Sequence, residues 1–266
     1  MSTAAEIYDA DYYQRLYDLE TRHWWHLGMR RIAEVLVRSN PSFASGAAVL
    51  DAGCGTGASL TWARATLHAS SITGIDISPV AIDFCRRRGL DEVSTGSVLE
   101  LPFDDERFDV VLCWDVLQHL PTDGGDVRAL RELRRVLKPG GAAILRANSR
   151  LGMWLPDDAK DVDYLRYTLP ELTGSVRDAG LDPFRATYAN SLPALYASAR
   201  RWLERRQRRG EGSRVYEGLT IRDTATEAPR MNALLQRVIA AEARYLAPRG
   251  RSLPFGHTTF CVAVKR

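Results

Sequence analysis

One segment constrains the fold more than any other, residues 47–57, Ala-Ala-Val-Leu-Asp-Ala-Gly-Cys-Gly-Thr-Gly. An apolar run ends in an acid, Asp51, and glycines then recur at Gly53, Gly55 and Gly57. A buried strand that passes through a tight turn into a helix has this pattern. Because glycine adopts positive φ and lets the backbone approach a ligand closely, the segment predicts a binding loop at the carboxyl end of a strand.

The acid at the start of the loop indicates which ligand binds there. A dinucleotide loop places a pyrophosphate against the turn and the following helix N-terminus, and the carboxylate of Asp51 would repel it. S-adenosylmethionine (SAM) has no phosphate, and a nearby acid stabilises its ammonium and sulfonium. The Gly-x-Gly-x-Gly spacing is also one residue shorter than the dinucleotide fingerprint. Both observations favour SAM over the rival ligand, the nicotinamide dinucleotide of an oxidoreductase.

Further strands and helices alternate downstream of this loop. Residues 71–78 are β-branched and reach Asp76 about 20 residues past the loop, where a carboxylate accepts the ribose hydroxyls of an adenosine. Residues 108–115 form another buried strand, and a helix over 130–137 precedes a strand at 142–145. This alternation predicts a doubly wound α/β fold, a parallel sheet with helices on both faces.

The order of these motifs resembles the class I SAM-dependent methyltransferases of the broad small-molecule type, over roughly residues 45–150. The resemblance implies a Rossmann-like seven-strand sheet, SAM as cofactor and S-adenosylhomocysteine as product. The residues expected to contact SAM come from the loop and the ends of the next strands: Asp51, Gly53, Cys54, Gly55, Asp76, Ile77, Ser97, Val98, Leu99 and Trp114. Ser97 stands where the family usually has an acid for the adenine amino group, so the Val98 backbone is the alternative contact.

An N-terminal tract, residues 20–31, contains His-Trp-Trp followed by paired arginines. It is similar to a bacterial subgroup of these methyltransferases that often accompanies sugar, lipid-linked or natural-product pathways. That subgroup usually has a histidine shortly before Arg166-Tyr167, where this chain has Asp163 and Tyr164. The tract is expected to form a lid, with its indoles over the sulfonium and Arg30 paired with the SAM carboxylate. Packing of this helix onto the sheet is the alternative.

The acceptor is expected beyond the strand at 108–115, because ligands gather at the carboxyl ends of such strands. His119 is the candidate general base, with a packing role as the alternative. Asp115 is a candidate acceptor contact or the N-cap of the following helix. The expected pocket is mostly apolar and aromatic, with these further lining residues: Tyr12, Trp24, Trp114, Tyr164, Tyr188 and Asn190.

The chain divides into four predicted segments, and its length and 45% apolar composition suffice for one core with a cap. Residues 1–40 form an N-terminal helical cap and residues 41–190 the SAM-binding core. Residues 191–250 form a helical insertion over the acceptor, and residues 251–266 return as the final core strand.

The composition and charge of the chain limit the kinds of partner that it is expected to bind. A net charge of +3 is too small to indicate a nucleic-acid partner, although residues 200–209 are strongly basic. That stretch is interpreted as a solvated helix face, and the alternatives are a contact for a membrane surface or anionic substrate, or for nucleic acid. Four scattered cysteines without a Cys-x-x-Cys pair indicate neither a zinc site nor a disulfide framework, and no metal is expected. With no apolar run of roughly 18 residues and no visible signal peptide, a cytoplasmic location is expected.

The predicted function is O- or N-methylation of a hydrophobic, aromatic or natural-product metabolite. Cys113-Trp114-Asp115 replaces the Pro-Pro-Tyr of amino-directed DNA methyltransferases, and no cysteine follows a proline as cytosine-carbon methylation requires. Two alternatives stay open: a lipid-linked or sugar acceptor, and a non-catalytic partner subunit that keeps the fold.

Overall fold

The computed structural model describes residues 9–38, 46–150, 165–196, 199 and 224–266. Within them lies a seven-stranded sheet in the spatial order β3-β2-β1-β4-β5-β7-β6. The strands are β1 Ala48–Ala52, β2 Ser71–Asp76, β3 Val93–Thr95, β4 Phe108–Trp114, β5 Leu137–Asn148, β6 Asp182–Ala189 and β7 Thr258–Val264. Strands β1 to β5 pair in parallel, and β7 runs antiparallel to both β5 and β6. The Rossmann-like seven-strand sheet expected from the sequence is confirmed.

Two features of the sheet differ from the strands identified in the sequence. The edge strand β3 has only three residues, of which Val93 alone is buried, so no apolar period marked it. The final strand β7 is antiparallel, whereas the alternation of elements predicted a parallel sheet. A strand's apolar pattern reports which faces are buried, and it carries no information about the direction of pairing.

The helices occupy both faces of the sheet. They are α1 Ala10–Leu19, α2 Trp24–Val37, α3 Ala58–Thr66, α4 Pro79–Arg87, α5 Gly125–Val136, α6 Leu169–Asp178 and α7 Pro229–Leu246. Short helical turns occur at Leu117–His119, at 191–196 and at Thr224–Glu227. Local signals fix several helix starts: Ser78 caps α4 ahead of Pro79, and Thr168 forms a capping box with Glu171 at α6.

Successive strand residues point to opposite faces of the sheet and contribute to two hydrophobic cores, one on each face. On one face, strand residues such as Val49, Leu112 and Ile144 pack against apolar residues of α2, α3, α4 and α7. On the other face, residues such as Leu50 and Cys113 pack against α5 and α6. Because side chains alternate along a strand, Asp51, Trp114 and Arg146 point to the first face, beneath α2.

The N-terminal helix α2 and the late helix α7 cross at very short range. A Cβ placed on Gly28 would lie 2.4 Å from Cγ2 of Ile239, so only glycine permits this crossing. Polar bonds complete the contact: Asn232 accepts from the Trp24 N–H at 2.9 Å and donates to the Arg22 carbonyl at 3.1 Å. The two segments expected to roof the acceptor therefore form one layer on the sheet.

Several predictions fall outside the described residues. Tyr164 and the basic stretch 200–209 lie there, as does most of the predicted insertion between β6 and α7. Among the residues that are described, no helix is long and apolar enough to cross a membrane.

Candidate functional site

The glycine loop follows β1, and its three glycines all have positive φ: Gly53 at +94°, Gly55 at +52° and Gly57 at +84°. The Gly53 and Cys54 N–H groups both donate to the Ile75 carbonyl at 2.8 Å. The Gly57 N–H donates to the Cys54 carbonyl, and Gly55 donates to Asp76. A phosphate-binding loop presents free amides to its ligand, whereas these four amides are engaged within the protein.

Asp76 ends β2 beside this loop. Its carboxylate accepts from the Gly55 N–H and the Ser78 N–H, each at 2.9 Å. Burial raises the pKa of Asp76, and these backbone donors oppose the increase. The next side chain, Ile77, is 52% exposed, so an apolar surface borders the acid. This edge therefore places a carboxylate beside an exposed apolar side chain.

Tyr13 of α1 covers Asp76, a contact that the sequence assigned to no residue. Tyr13 is buried and its hydroxyl is hydrogen-bonded to Ser78. Burial and the nearby Asp76 charge raise its pKa well above the usual range. The predicted residue, Tyr12, is partly buried and packs edge-on against the Tyr13 ring. Helical spacing could have identified Tyr13, because Tyr13, Leu16 and Tyr17 repeat at three and four residues.

Asp51 is fully buried at the loop entrance. Ser59 donates to its Oδ2, while Oδ1 has no partner among the described residues. Burial raises the pKa of Asp51 to about 7, the Ser59 hydrogen bond and Arg146 lower it, and Asp76 and Glu20 raise it further. A buried carboxylate oxygen without a donor is a natural contact for a cationic ligand group.

The connection between α1 and α2 is fastened onto the loop. The Glu20 carboxylate accepts from the Thr56 hydroxyl and from Arg88 Nη2, the latter at 2.9 Å. Arg30 Nη2 donates to the Glu20 carbonyl, which gives Arg30 a protein partner at this site. The predicted contact of Arg30 with the SAM carboxylate stays a prediction. The anchoring role of Glu20 carries no motif, since its partners lie more than 30 residues away.

A cation lies between two indoles at the end of β4. Arg146 of β5 places Cζ 4.8 Å from the Trp25 ring centroid and 4.9 Å from that of Trp114. Its Nε lies 3.1–3.2 Å from the two Asp115 carboxylate oxygens. Trp25, one of the two indoles of the predicted lid, thus contributes its ring to this cluster.

The structure also corrects the N-cap alternative for Asp115. Asp115 has φ of +59°, and its N–H donates to the Arg146 carbonyl at 2.8 Å. The following turn, Leu117–His119, begins after Val116 and has no side-chain cap. Left-handed backbone at a non-glycine residue costs on the order of 1 kcal/mol or more, and such residues concentrate at functional sites.

His119 ends that turn and is partly buried. Burial lowers its pKa, and the charge of Asp115 opposes the decrease. The predicted base and the predicted acceptor contact are therefore electrostatic neighbours. A carboxylate next to an imidazole stabilises the protonated ring that forms when a base accepts a proton.

The remaining cofactor predictions have mixed placements. Ser97 accepts from the Leu99 N–H at 3.2 Å, so its hydroxyl stabilises its own turn. Val98 is buried in the core, and Leu99 packs against its edge. Cys54 points inward, with its Sγ 3.8 Å from that of Cys85. The side chain of Cys54 therefore belongs to the core, and a ligand contact there is restricted to backbone atoms.

The other acceptor predictions in the described residues lie on several different elements. Tyr188 of the edge strand β6 accepts from the Leu169 N–H at the start of α6, on the opposite face of the sheet. Trp24 packs beside α7 through its backbone bond to Asn232. Tyr12 lies on α1 against the aromatic cluster of α4. Asn190 follows β6 with φ of +62° and a buried Oδ1 that has no partner among the described residues, while its N–H donates to Glu242.

Comparison with known proteins agrees with this geometry. Residues 50–145 match the family model described as "Methyltransferase domain". The chain is 34% identical over 157 residues to the phthiotriol/phenolphthiotriol dimycocerosates methyltransferase of Mycobacterium leprae, covering 55% of this chain and 53% of that protein. It is 33% identical over 160 residues to the tRNA (carboxymethyluridine(34)-5-O)-methyltransferase of Arabidopsis thaliana, covering 57% and 38%. The chain thus spans about half or less of the curated relatives that it matches.

Solved structures share the fold at lower identity. A putative methyltransferase in complex with the Haloferax volcanii Trm112 activator has a TM-score of 0.60 at 22% identity, with 96% of this chain and 94% of that chain covered. A possible histamine N-methyltransferase from Thermotoga maritima has a TM-score of 0.55 at 17% identity, with 96% of each chain covered. Residues 50–145 thus form a methyltransferase domain, and the sheet that contains them has the fold of the class I SAM-dependent methyltransferases.

Proposed function

We propose that the chain transfers a methyl group from SAM to an oxygen or nitrogen atom of a hydrophobic acceptor. The observation that carries this proposal is the pairing of two acids, Asp51 and Asp76, with a glycine loop whose amides are already engaged. Such a site favours a ligand that is cationic and lacks phosphate. SAM meets both conditions, and a dinucleotide meets neither.

The residues present fit the cofactor. Asp76 would hold the ribose hydroxyls, with Ile77 beside the adenine. The unpartnered Oδ1 of Asp51 would hold the ammonium, and Arg30 the carboxylate. The backbone of residues 53–55 and 97–99 and the Trp114 indole would complete the site. When bound, SAM supplies a methyl group already activated by the positive sulfur, so the protein has to align the acceptor and exclude water.

A proton must also leave when the acceptor is a hydroxyl or an ammonium. His119 would accept it, because Asp115 lies close enough to stabilise the charged imidazole. Arg146 holds that carboxylate from the other side. His119 would thus act as the base, with Asp115 as its supporting acid.

The acceptor class is inferred from exposed apolar side chains in the described part of the segment expected to cover the acceptor, residues 191–250. Several apolar side chains on the turn at 191–196 and on α7 are more than 40% exposed: Leu192, Leu195, Tyr196, Met231 and Leu234. The mycobacterial relatives are named for phthiotriol and phenolphthiotriol lipids, whose names indicate hydroxyl groups on apolar skeletons. Together these favour a lipid-like alcohol or phenol. The small net charge of +3 speaks against the tRNA acceptor of the plant relative.

The test is a methyl-transfer assay with SAM labelled in its methyl group. The purified chain is incubated with a long-chain alkylphenol in detergent and, separately, with total tRNA. We expect label in the organic extract, and its loss in Asp76→Asn. Label in RNA alone would overturn the acceptor class, and absence of transfer despite SAM binding would favour a non-catalytic subunit.

A further inference from the structure

Two histidines of the N-terminal tract lie three residues apart and have different environments. Both are buried, His23 at 4% exposure and His26 at 6%. His23 caps α2, because its Nδ1 accepts from the Trp25 N–H at 3.3 Å. His26 Nε2 has no hydrogen-bond partner in the described part of the chain. The capping role accounts for the first histidine, and no structural role accounts for the second.

The neighbours of His26 place it in the acceptor half of the site. Its ring packs edge-on against Trp25 at 4.9 Å, and Trp25 lies on the Arg146 guanidinium. Arg146 and Arg30 are among the charges that act on His26, and Arg146 also acts on Asp51. His26, Trp25, Arg146 and Asp51 therefore belong to one buried cluster at the carboxyl ends of β1, β4 and β5.

Leaving a buried polar atom without a partner destabilises a folded protein, and most such atoms are satisfied. Trp114 Nε1 of the same cluster is also buried and unpartnered. The cluster therefore contains an imidazole nitrogen and an indole N–H that have no hydrogen-bond partner among the described residues. Both lie in the cluster of a guanidinium that is already paired with Asp115. Groups of this kind are satisfied when a polar ligand binds between them.

We propose that His26 binds the methyl acceptor, with Nε2 accepting a hydrogen bond from the hydroxyl that becomes methylated. This rests on the methyl transfer proposed above and extends it, because it requires an acceptor with a hydrogen-bond donor at the reacting atom. His26 is then an acceptor-binding residue that orients the nucleophile. Trp114 Nε1 is placed to donate to the same oxygen or to a neighbouring one.

The charges around the two imidazoles separate their roles. Burial lowers the pKa of His26, and Arg146, His23 and Arg30 lower it further, so His26 stays neutral and keeps a lone pair. At His119 the neighbouring charge is the carboxylate of Asp115, which favours a proton. During transfer the acceptor oxygen forms a bond to the methyl carbon as the carbon–sulfur bond breaks. As this bond forms, the hydroxyl turns its proton from His26 Nε2 to His119, which takes it, and S-adenosylhomocysteine is released.

The test compares His26→Phe with the matched variant His23→Ala, using the alkylphenol as acceptor. Removing an unpartnered polar group does not destabilise, so we expect His26→Phe to melt at or above the wild-type temperature. Its SAM affinity should stay within about twofold, while kcat/KM for the alkylphenol falls by roughly tenfold or more. His23→Ala should show the reverse, a lower melting temperature with kcat/KM retained below it.

Wild-type kcat/KM in His26→Phe would overturn the inference, as would a joint loss of melting temperature and SAM affinity. A second measurement does not depend on turnover. With S-adenosylhomocysteine bound, adding the alkylphenol should shift the ¹⁵N resonance of His26 Nε2 in the NMR spectrum. A shift without turnover would refute the proposed catalysis and retain the acceptor site, whereas turnover without a shift would refute the role of His26.

Discussion

The cofactor half and the acceptor half of the site are built differently. Around β1 and β2, the two acids expected to bind SAM are bonded to the glycine loop or to nearby serines, as Asp76 is to Gly55 and Ser78. Around β4 and β5, the contacts join distant segments, with Trp25, Asp115 and Arg146 meeting in one stack. Local sequence motifs therefore determine the acids of the cofactor half, whereas tertiary packing brings together the residues of the acceptor half. Substitutions should therefore separate the halves by what they impair.

The largest effect is expected on turnover. His119→Ala should lower kcat by roughly 10²–10⁴-fold while SAM affinity is unchanged, because a base acts only on the acceptor. Methyl-transfer kinetics and calorimetry measure the two quantities. His68→Asn, an exposed histidine far along the chain, serves as the control. Turnover within a few-fold of wild type would return His119 to a packing role.

The second largest effect is expected on the free energy of unfolding, from substitutions in the acceptor half. Arg146→Met leaves Asp115 without its cation, and breaking a buried pair in this way costs about 3 kcal/mol of unfolding free energy. Urea denaturation should show that adding Asp115→Asn restores most of the loss. The exposed pair Arg38–Glu34 supplies the control, since Arg38→Met should cost no more than about 0.5 kcal/mol. A double variant as unstable as the single one would refute the coupling.

Substitutions in the cofactor half are expected to weaken SAM binding. Asp76→Ala removes a charged hydrogen-bond acceptor, so SAM binding should weaken by roughly 1.5–3 kcal/mol in a protein that stays folded. Calorimetry measures this, with the exposed Asp91→Ala as the matched acid. Unchanged affinity in the Asp76 variant would exclude it from the ribose contact.

The smallest effects concern pH and Asp51. Its pKa is raised to about 7, so between about pH 4 and 7 the folded protein retains a proton that the unfolded chain has released. Unfolding free energy should therefore decrease as pH rises through this window, and Asp51→Asn should flatten that slope. SAM affinity should change in the opposite direction, strengthening as pH rises through 7, because the ammonium favours the ionised carboxylate. Equal slopes in wild type and variant would contradict this.

The sheet and the cofactor half of the site can be predicted from the sequence because the motifs that specify them are local. The glycine spacing, the acid of Asp51 and the acid of Asp76 each lie within a few residues of the element that presents them. The sequence predicts Trp24 and Tyr12 in the acceptor lining, whereas their neighbours Trp25 and Tyr13 contact Arg146 and Ser78. Adjacent residues on a helix point about 100° apart, and the sequence does not state which of them faces the site.

Other features of the site also depend on long-range structure. Tyr188 alternates correctly along its strand, but the side on which β6 presents it follows from pairing with β7. No sequence motif marks Glu20, because its partners Thr56 and Arg88 contact it only in the folded chain. No periodicity in a single sequence encodes either relation.

The close crossing of α2 and α7 has a consequence for recombination between related enzymes. With Gly28 against Ile239 and Asn232 bonded to the Trp24 and Arg22 backbone, the two helices match each other residue by residue. A chimera that takes its late helix from one parent and its N-terminal helix from another would place a new side chain in a gap sized for a hydrogen atom. Exchanges intended to transfer acceptor preference therefore have to move both helices as a unit, although some 200 residues of chain lie between them.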